Sequence, residues 1–119
     1  MTKEEMNFEE SIKPFELRDG SVCLDLVCSD YLHDVFNTRA DEYFQGSGYD
    51  WNSLAKVFLK EKRPELSEKM TFDSEGDLFC VRSDDENALK AFIIDFKKAC
   101  DNRTLILDLF SRAVDEFEI

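Results

Sequence analysis

The chain has 119 residues, enough for one domain with one modest core, and 43% of them are apolar, eleven being phenylalanine. Fifteen basic and 27 acidic residues leave a formal charge of −12, a field that repels nucleic-acid backbones and anionic lipids and argues against both as partners. The same field draws basic proteins, or it simply keeps a cytosolic chain in solution, and charge by itself does not separate the two.

Residues 1–11 are charged and aperiodic and read as a flexible acidic arm or a short helix at the edge of a single domain spanning 1–119. They hold no signal-peptide pattern, and no stretch reaches the ~20 apolar residues of a membrane span, so a cytoplasmic protein is expected. Phe15 and Leu17 alternate with Glu16 and Arg18, Asp19-Gly20 is a hairpin signal, and Ser21 to Cys28 reads as a second strand with Val22, Leu24, Leu26 and Cys28 on one face. Ser29-Asp30 offers a helix cap before Tyr31, Leu32, Val35 and Phe36. A polar, aromatic-bearing connection leads to a helix from about Trp51 to Lys62, with Leu54, Ala55, Phe58 and Leu59 inward and Pro64 beyond its end.

The second half repeats the plan. Met70 and Phe72 open a strand, Ser74-Glu75-Gly76 supplies a turn, and Asp77 to Arg82 returns. Ser83-Asp84, with Glu86 placed as in a capping box, starts a long helix striped by Leu89, Phe92, Ile93, Phe96, Ala99 and Cys100. Asp101-Asn102 breaks it, and a last helix carries Ile106, Leu109, Phe110, Ala113, Val114 and Phe117. The order ββαα-ββαα predicts an α+β domain: one antiparallel sheet of about four strands with helices mainly on one face.

Catalytic chemistry has little to stand on. The single histidine, His33, lies five residues from Cys28, so a nucleophile–base pair is conceivable but has no orienting third group. The four cysteines at 23, 28, 80 and 100 contain no CxxC pair, which leaves structural zinc without support and favours buried free thiols in a reducing compartment. Asp73, Glu75 and Asp77 alternate across a turn but miss the EF-hand spacing, so neither a metal nor a cofactor is expected.

One short stretch, QGSGYDW from Gln45 to Trp51, holds two of the four glycines and the only tryptophan. It fits neither a Walker motif nor a dinucleotide fingerprint, and Asp50 would repel a phosphate. Two readings stay open. Its glycines supply positive φ and Asp50 caps the helix that begins at Trp51, or Asp41, Glu42, Tyr43, Tyr49, Asp50 and Trp51 form an acid-ringed aromatic anchor for a basic partner.

Residues 14–110 resemble the immunity protein 51 family of bacterial polymorphic toxin systems. The resemblance rests on a G-x-G-Y-x-W loop (Gly46, Gly48, Tyr49, Trp51) and on a phrase F-D-x-E-x-x-x-F-C (Phe72, Asp73, Glu75, Phe79, Cys80). It implies a non-enzymatic protein that binds and neutralises a cognate toxin. The acidic charge would suit a toxin with a basic substrate groove, such as a nuclease domain. The rival reading is a cytosolic adaptor or regulatory domain for a basic protein, and protection from a neighbouring toxin gene product would separate the two.

Overall fold

The computed structural model describes residues 8–114. Residues 8–11 are helical; the rest of the expected N-terminal arm, residues 1–7, lies outside the described residues. The elements that follow are β1 (Glu16–Arg18), β2 (Ser21–Asp25), α1 (His33–Asn37), a 3₁₀ turn (Ala40–Glu42), α2 (Gly48–Lys62), α3 (Pro64–Ser67), β3 (Thr71–Phe72), β4 (Leu78–Arg82), α4 (Glu86–Asp101) and α5 (Arg103–Phe110). The expected α+β class and strand number hold: one four-stranded sheet has the order β1-β2-β4-β3, with every neighbour antiparallel.

The central pair joins the two halves of the chain, running from Ser21 opposite Arg82 to Asp25 opposite Leu78. Strand side chains alternate between faces. Val22, Leu24, Phe79 and Val81 therefore share one face, all but fully buried, and Leu17 and Phe72 extend it at the edges. Helices cover this face. Phe96 of α4 and Trp51 of α2 bring their rings 6.2 and 5.5 Å from that of Phe79. The other face carries the exposed Glu16, Arg18, Thr71, Asp25 and Arg82, with Cys23 and Cys80 at its centre.

Several boundaries fall elsewhere than the sequence suggests, each for a local reason. β2 stops at Asp25 and not at Cys28, because the Asp25 carboxylate accepts the Val27 N–H and turns the chain. Ser29 does not cap α1; its hydroxyl takes the Tyr31 N–H, and the helix starts later, behind Leu32 at φ 59°. Pro64 does more than follow a helix, since it opens α3 at the first-turn position that needs no N–H. The expected Ser83 capping box is replaced by Asp85, whose carboxylate accepts the Ala88 N–H. The α4 stripe is as expected, with Leu89, Phe92, Ile93, Phe96, Ala99 and Cys100 all buried. α5 ends at Phe110, Val114 is 61% exposed, and Phe117 lies outside the described residues.

Candidate functional site

The six residues singled out as an anchor fall on the connection between α1 and α2 (Asp41, Glu42, Tyr43) and on the first turn of α2 (Tyr49, Asp50, Trp51). Gly46 sits at φ 81°, a conformation open to glycine at little cost. This turns three successive backbone N–H groups, of Gln45, Gly46 and Ser47, onto one point. The Asp50 carboxylate occupies that point, accepting all three at 2.7, 2.9 and 3.2 Å. Such a concavity of N–H groups is an anion site. Here the anion is part of the chain, so Asp50 fills the cradle that an external phosphate would need.

The helix cap is correspondingly shifted. Ser47, not Asp50, is the capping residue: its hydroxyl accepts the Asp50 N–H at 3.2 Å while Asp50 reaches back to the Ser47 N–H. That reciprocal pair is a capping box, and it starts α2 at Gly48, three residues before Trp51. Asp50 is 3% exposed and serves the loop from within.

Gly48 meets a different demand. Its N–H donates to the Gly76 carbonyl at 3.1 Å. A Cβ there would stand 2.0 Å from the Glu75 carbonyl oxygen and 2.3 Å from that of Leu78. The loop is thus seated directly on the β3–β4 hairpin. Ser74 strengthens the joint, its hydroxyl donating to the buried Asn52 side chain at 2.7 Å and accepting the Cys80 N–H at 2.9 Å.

Trp51 is 1% exposed. Its ring lies 5.2 to 6.1 Å from those of Phe15, Tyr31, Phe36, Phe79 and Phe96. Almost none of its surface is open to a partner in this fold. Its energetic role is to bind α2 to the sheet and α4.

Asp41, Glu42 and Tyr43 are exposed on and just after the 3₁₀ turn. Tyr43 is 65% exposed and takes φ 74°, a left-handed conformation that costs a side-chain-bearing residue about 1–2 kcal/mol. Tyr49 is half-buried in the first turn of α2. The structure thus sorts the six residues into an outer group (Asp41, Glu42, Tyr43, Tyr49) and an inner pair (Asp50, Trp51).

Sequence reasoning passed over the residue that holds the outer group in place. Arg39 grips Glu42 through two bonds of 3.0 Å and donates to the carbonyls of Phe110 and Ala113 at 2.5 and 2.8 Å. Its guanidinium also lies 4.6 and 5.0 Å from the ring centres of Phe44 and Phe110. One side chain therefore closes the end of α5 and fixes the 3₁₀ turn. The bond from Arg39 holds the Glu42 carboxyl below its ordinary value. The i,i+3 spacing of Arg39 and Glu42 within an acid-rich run was the available signal.

The thiols depart in part from the expected buried state. Cys80 and Cys100 are buried, Cys23 is half-buried and Cys28 is exposed. A hydrogen bond with Asp25 raises the Cys28 pKa, which keeps it a thiol and runs against use as a nucleophile. Among the described residues no group of three or more His, Cys, Asp or Glu could hold a metal ion, and no helix is long and apolar enough to cross a membrane.

A sequence model of the family described as Immunity protein 51 matches residues 13–115. The chain belongs to that family. No curated protein and no solved structure matches it. The two phrases that carry the resemblance to immunity protein 51 prove to be one structural joint, since Gly48 sits on the hairpin of Glu75 and Leu78 while Trp51 packs on Phe79. Family membership points to a protein that confers immunity to a toxin and to a partner that is that toxin. It points away from an enzymatic role.

Proposed function

We propose that this immunity protein binds a cognate bacterial toxin in the cytoplasm and neutralises it by stoichiometric occlusion, without catalysis. The toxin it fits is a basic protein, such as a nuclease domain with a cationic substrate groove. The observation that carries the reading is Tyr43: an aromatic ring exposed on left-handed backbone, flanked by Asp41 and Glu42 and held there by Arg39. Backbone strain of this kind concentrates at functional positions, and exposed tyrosines beside acids make good anchors for basic surfaces. Tyr49 extends the surface, and Asp50 and Trp51 support it from inside. The net charge of −12 steers association.

The test is co-expression with the toxin encoded beside the gene, together with calorimetry on the purified pair. The expected result is restored growth and a one-to-one complex whose association slows as salt is raised. Tyr43→Ala should weaken binding by roughly 30-fold or more while leaving the melting temperature in place. Failure to protect would remove the immunity reading. Protection with an unchanged affinity for Tyr43→Ala would move the interface elsewhere.

A further inference from the structure

The sheet face opposite the helical core holds two thiols in contact. Cys23 on β2 and Cys80 on β4 are register partners, and their Sγ atoms stand 2.9 Å apart. Backbone hydrogen bonds join Ser83 to Gly20 at one end of this ladder and Leu26 to Asp77 at the other. Hydrogen-bonded and non-hydrogen-bonded pairs alternate along antiparallel strands. Cys23 and Cys80 lie three steps from each end, so theirs is a non-hydrogen-bonded pair, the closer kind, with Cα atoms about 4.5 Å apart. That separation is within the span of a disulfide. Cys23 is half-buried and meets solvent, whereas Cys80 is 7% exposed behind it.

We propose that Cys23 and Cys80 form an oxidative modification site, at which a low-molecular-weight disulfide converts the pair into a cross-strand disulfide tying β2 to β4. The deprotonated Cys23 sulfur attacks one sulfur of the small disulfide. That S–S bond breaks, and one small thiol leaves after taking up a proton. The Cys80 sulfur, already in contact, then attacks the Cys23 sulfur of the mixed disulfide and releases the second small thiol. The two protein sulfurs are oxidised, the reagent is reduced to two thiols, and the two protons lost by the protein reside on them.

Burial and the contact with Cys80 push the Cys23 thiol up to about 12, against a smaller opposing effect of Arg18. The first step is therefore slow at neutral pH, and the second is fast because no strand has to move. The new bond links residues 57 apart in sequence, so it constrains the unfolded chain strongly. It also braces β4, whose Leu78 carbonyl seats Gly48.

The experiment uses the full chain with Cys28→Ser, which silences the exposed thiol. The protein is incubated with excess glutathione disulfide, its free thiols are alkylated under denaturing conditions, and its peptides are mapped. The expected result is a Cys23–Cys80 linked peptide, alkylated Cys100, and a melting temperature raised by on the order of 10 °C, all reversed by dithiothreitol. Adding Cys23→Ser should leave the reduced melting temperature close to that of the parent and abolish the rise. The proposal is overturned if both thiols stay free, or if Cys23 stops at the glutathione adduct with Cys80 still reduced.

Discussion

A methyl group on Gly48 would lie 2.3 Å from the carbonyl oxygen of Leu78, closer than two such atoms ever stand. The start of α2 and the β3–β4 hairpin therefore touch backbone to backbone. Neither side is the end of a flexible side chain, so nothing yields cheaply. Gly48→Ala should destabilise the fold by about 3 kcal/mol or more, read as a lower urea midpoint. A variant as stable as the parent would show that the joint opens without cost.

Trp51 fills the centre of the aromatic core on the other side of that joint. Trp51→Ala should lower stability by about 3–5 kcal/mol through the cavity it leaves. Protection against a toxin should fall only as far as the folded fraction falls. An affinity loss in protein that is still fully folded would mean that Trp51 reaches the partner after all.

The sequence made the outline of this fold readable because alternation and helical stripes are periodic signals summed over many residues. The α4 stripe from Leu89 to Cys100 and the pairing of two hairpins belong to that class. Boundaries depend on one or two hydrogen bonds among near-equal competitors. Ser47 rather than Asp50 caps α2 because Asp50 is drawn to three backbone N–H groups at once, which only the folded loop brings together. The candidate site was half readable. Its aromatic and acidic content is plain in composition, but the sorting of Tyr43 outward and Trp51 inward depends on which rings reach the core. Arg39 was hidden because two of its contacts lie 71 and 74 residues away in sequence.

Tyr43 offers a prediction in which stability and binding move in opposite directions. Glycine relieves the strain of φ 74°, so Tyr43→Gly should stabilise the fold by about 1 kcal/mol. The same change removes the proposed anchor and should weaken toxin binding by roughly 30-fold or more. A loss of both stability and affinity would identify the ring as packing and not as recognition.

Arg39 should not be replaceable by lysine. Arg39→Lys keeps a charge but loses the fork that grips Glu42 and the flat group that lies over Phe44 and Phe110. It should cost about 2 kcal/mol. Faster amide exchange should appear in residues 40–44 and at the end of α5, with α4 unchanged. Equal protection in parent and variant would remove Arg39 as the brace of the turn.

Acid should loosen the molecule first where arginine and lysine hold carboxylates. Arg112 grips Glu61 at 2.6 and 2.7 Å and Asp108 at 3.0 and 2.9 Å. Its bonds pull both carboxyls below their ordinary values of 4.5 and 3.8. Burial pushes Asp101 up, but the bonds from Lys97 and Tyr31 outweigh it, and that carboxyl too ends below 3.8. A carboxylate whose folded pKa is depressed binds fewer protons folded than unfolded. Its contribution is complete above the unfolded value and is lost as pH falls through the folded one. Stability should therefore be level from neutrality down to about pH 5 and decline progressively below it. Arg112→Ala should lower the plateau and flatten part of that decline, because Glu61 and Asp108 would then titrate much as they do in the unfolded chain. An acid limb of unchanged steepness in Arg112→Ala would assign the decline to other groups.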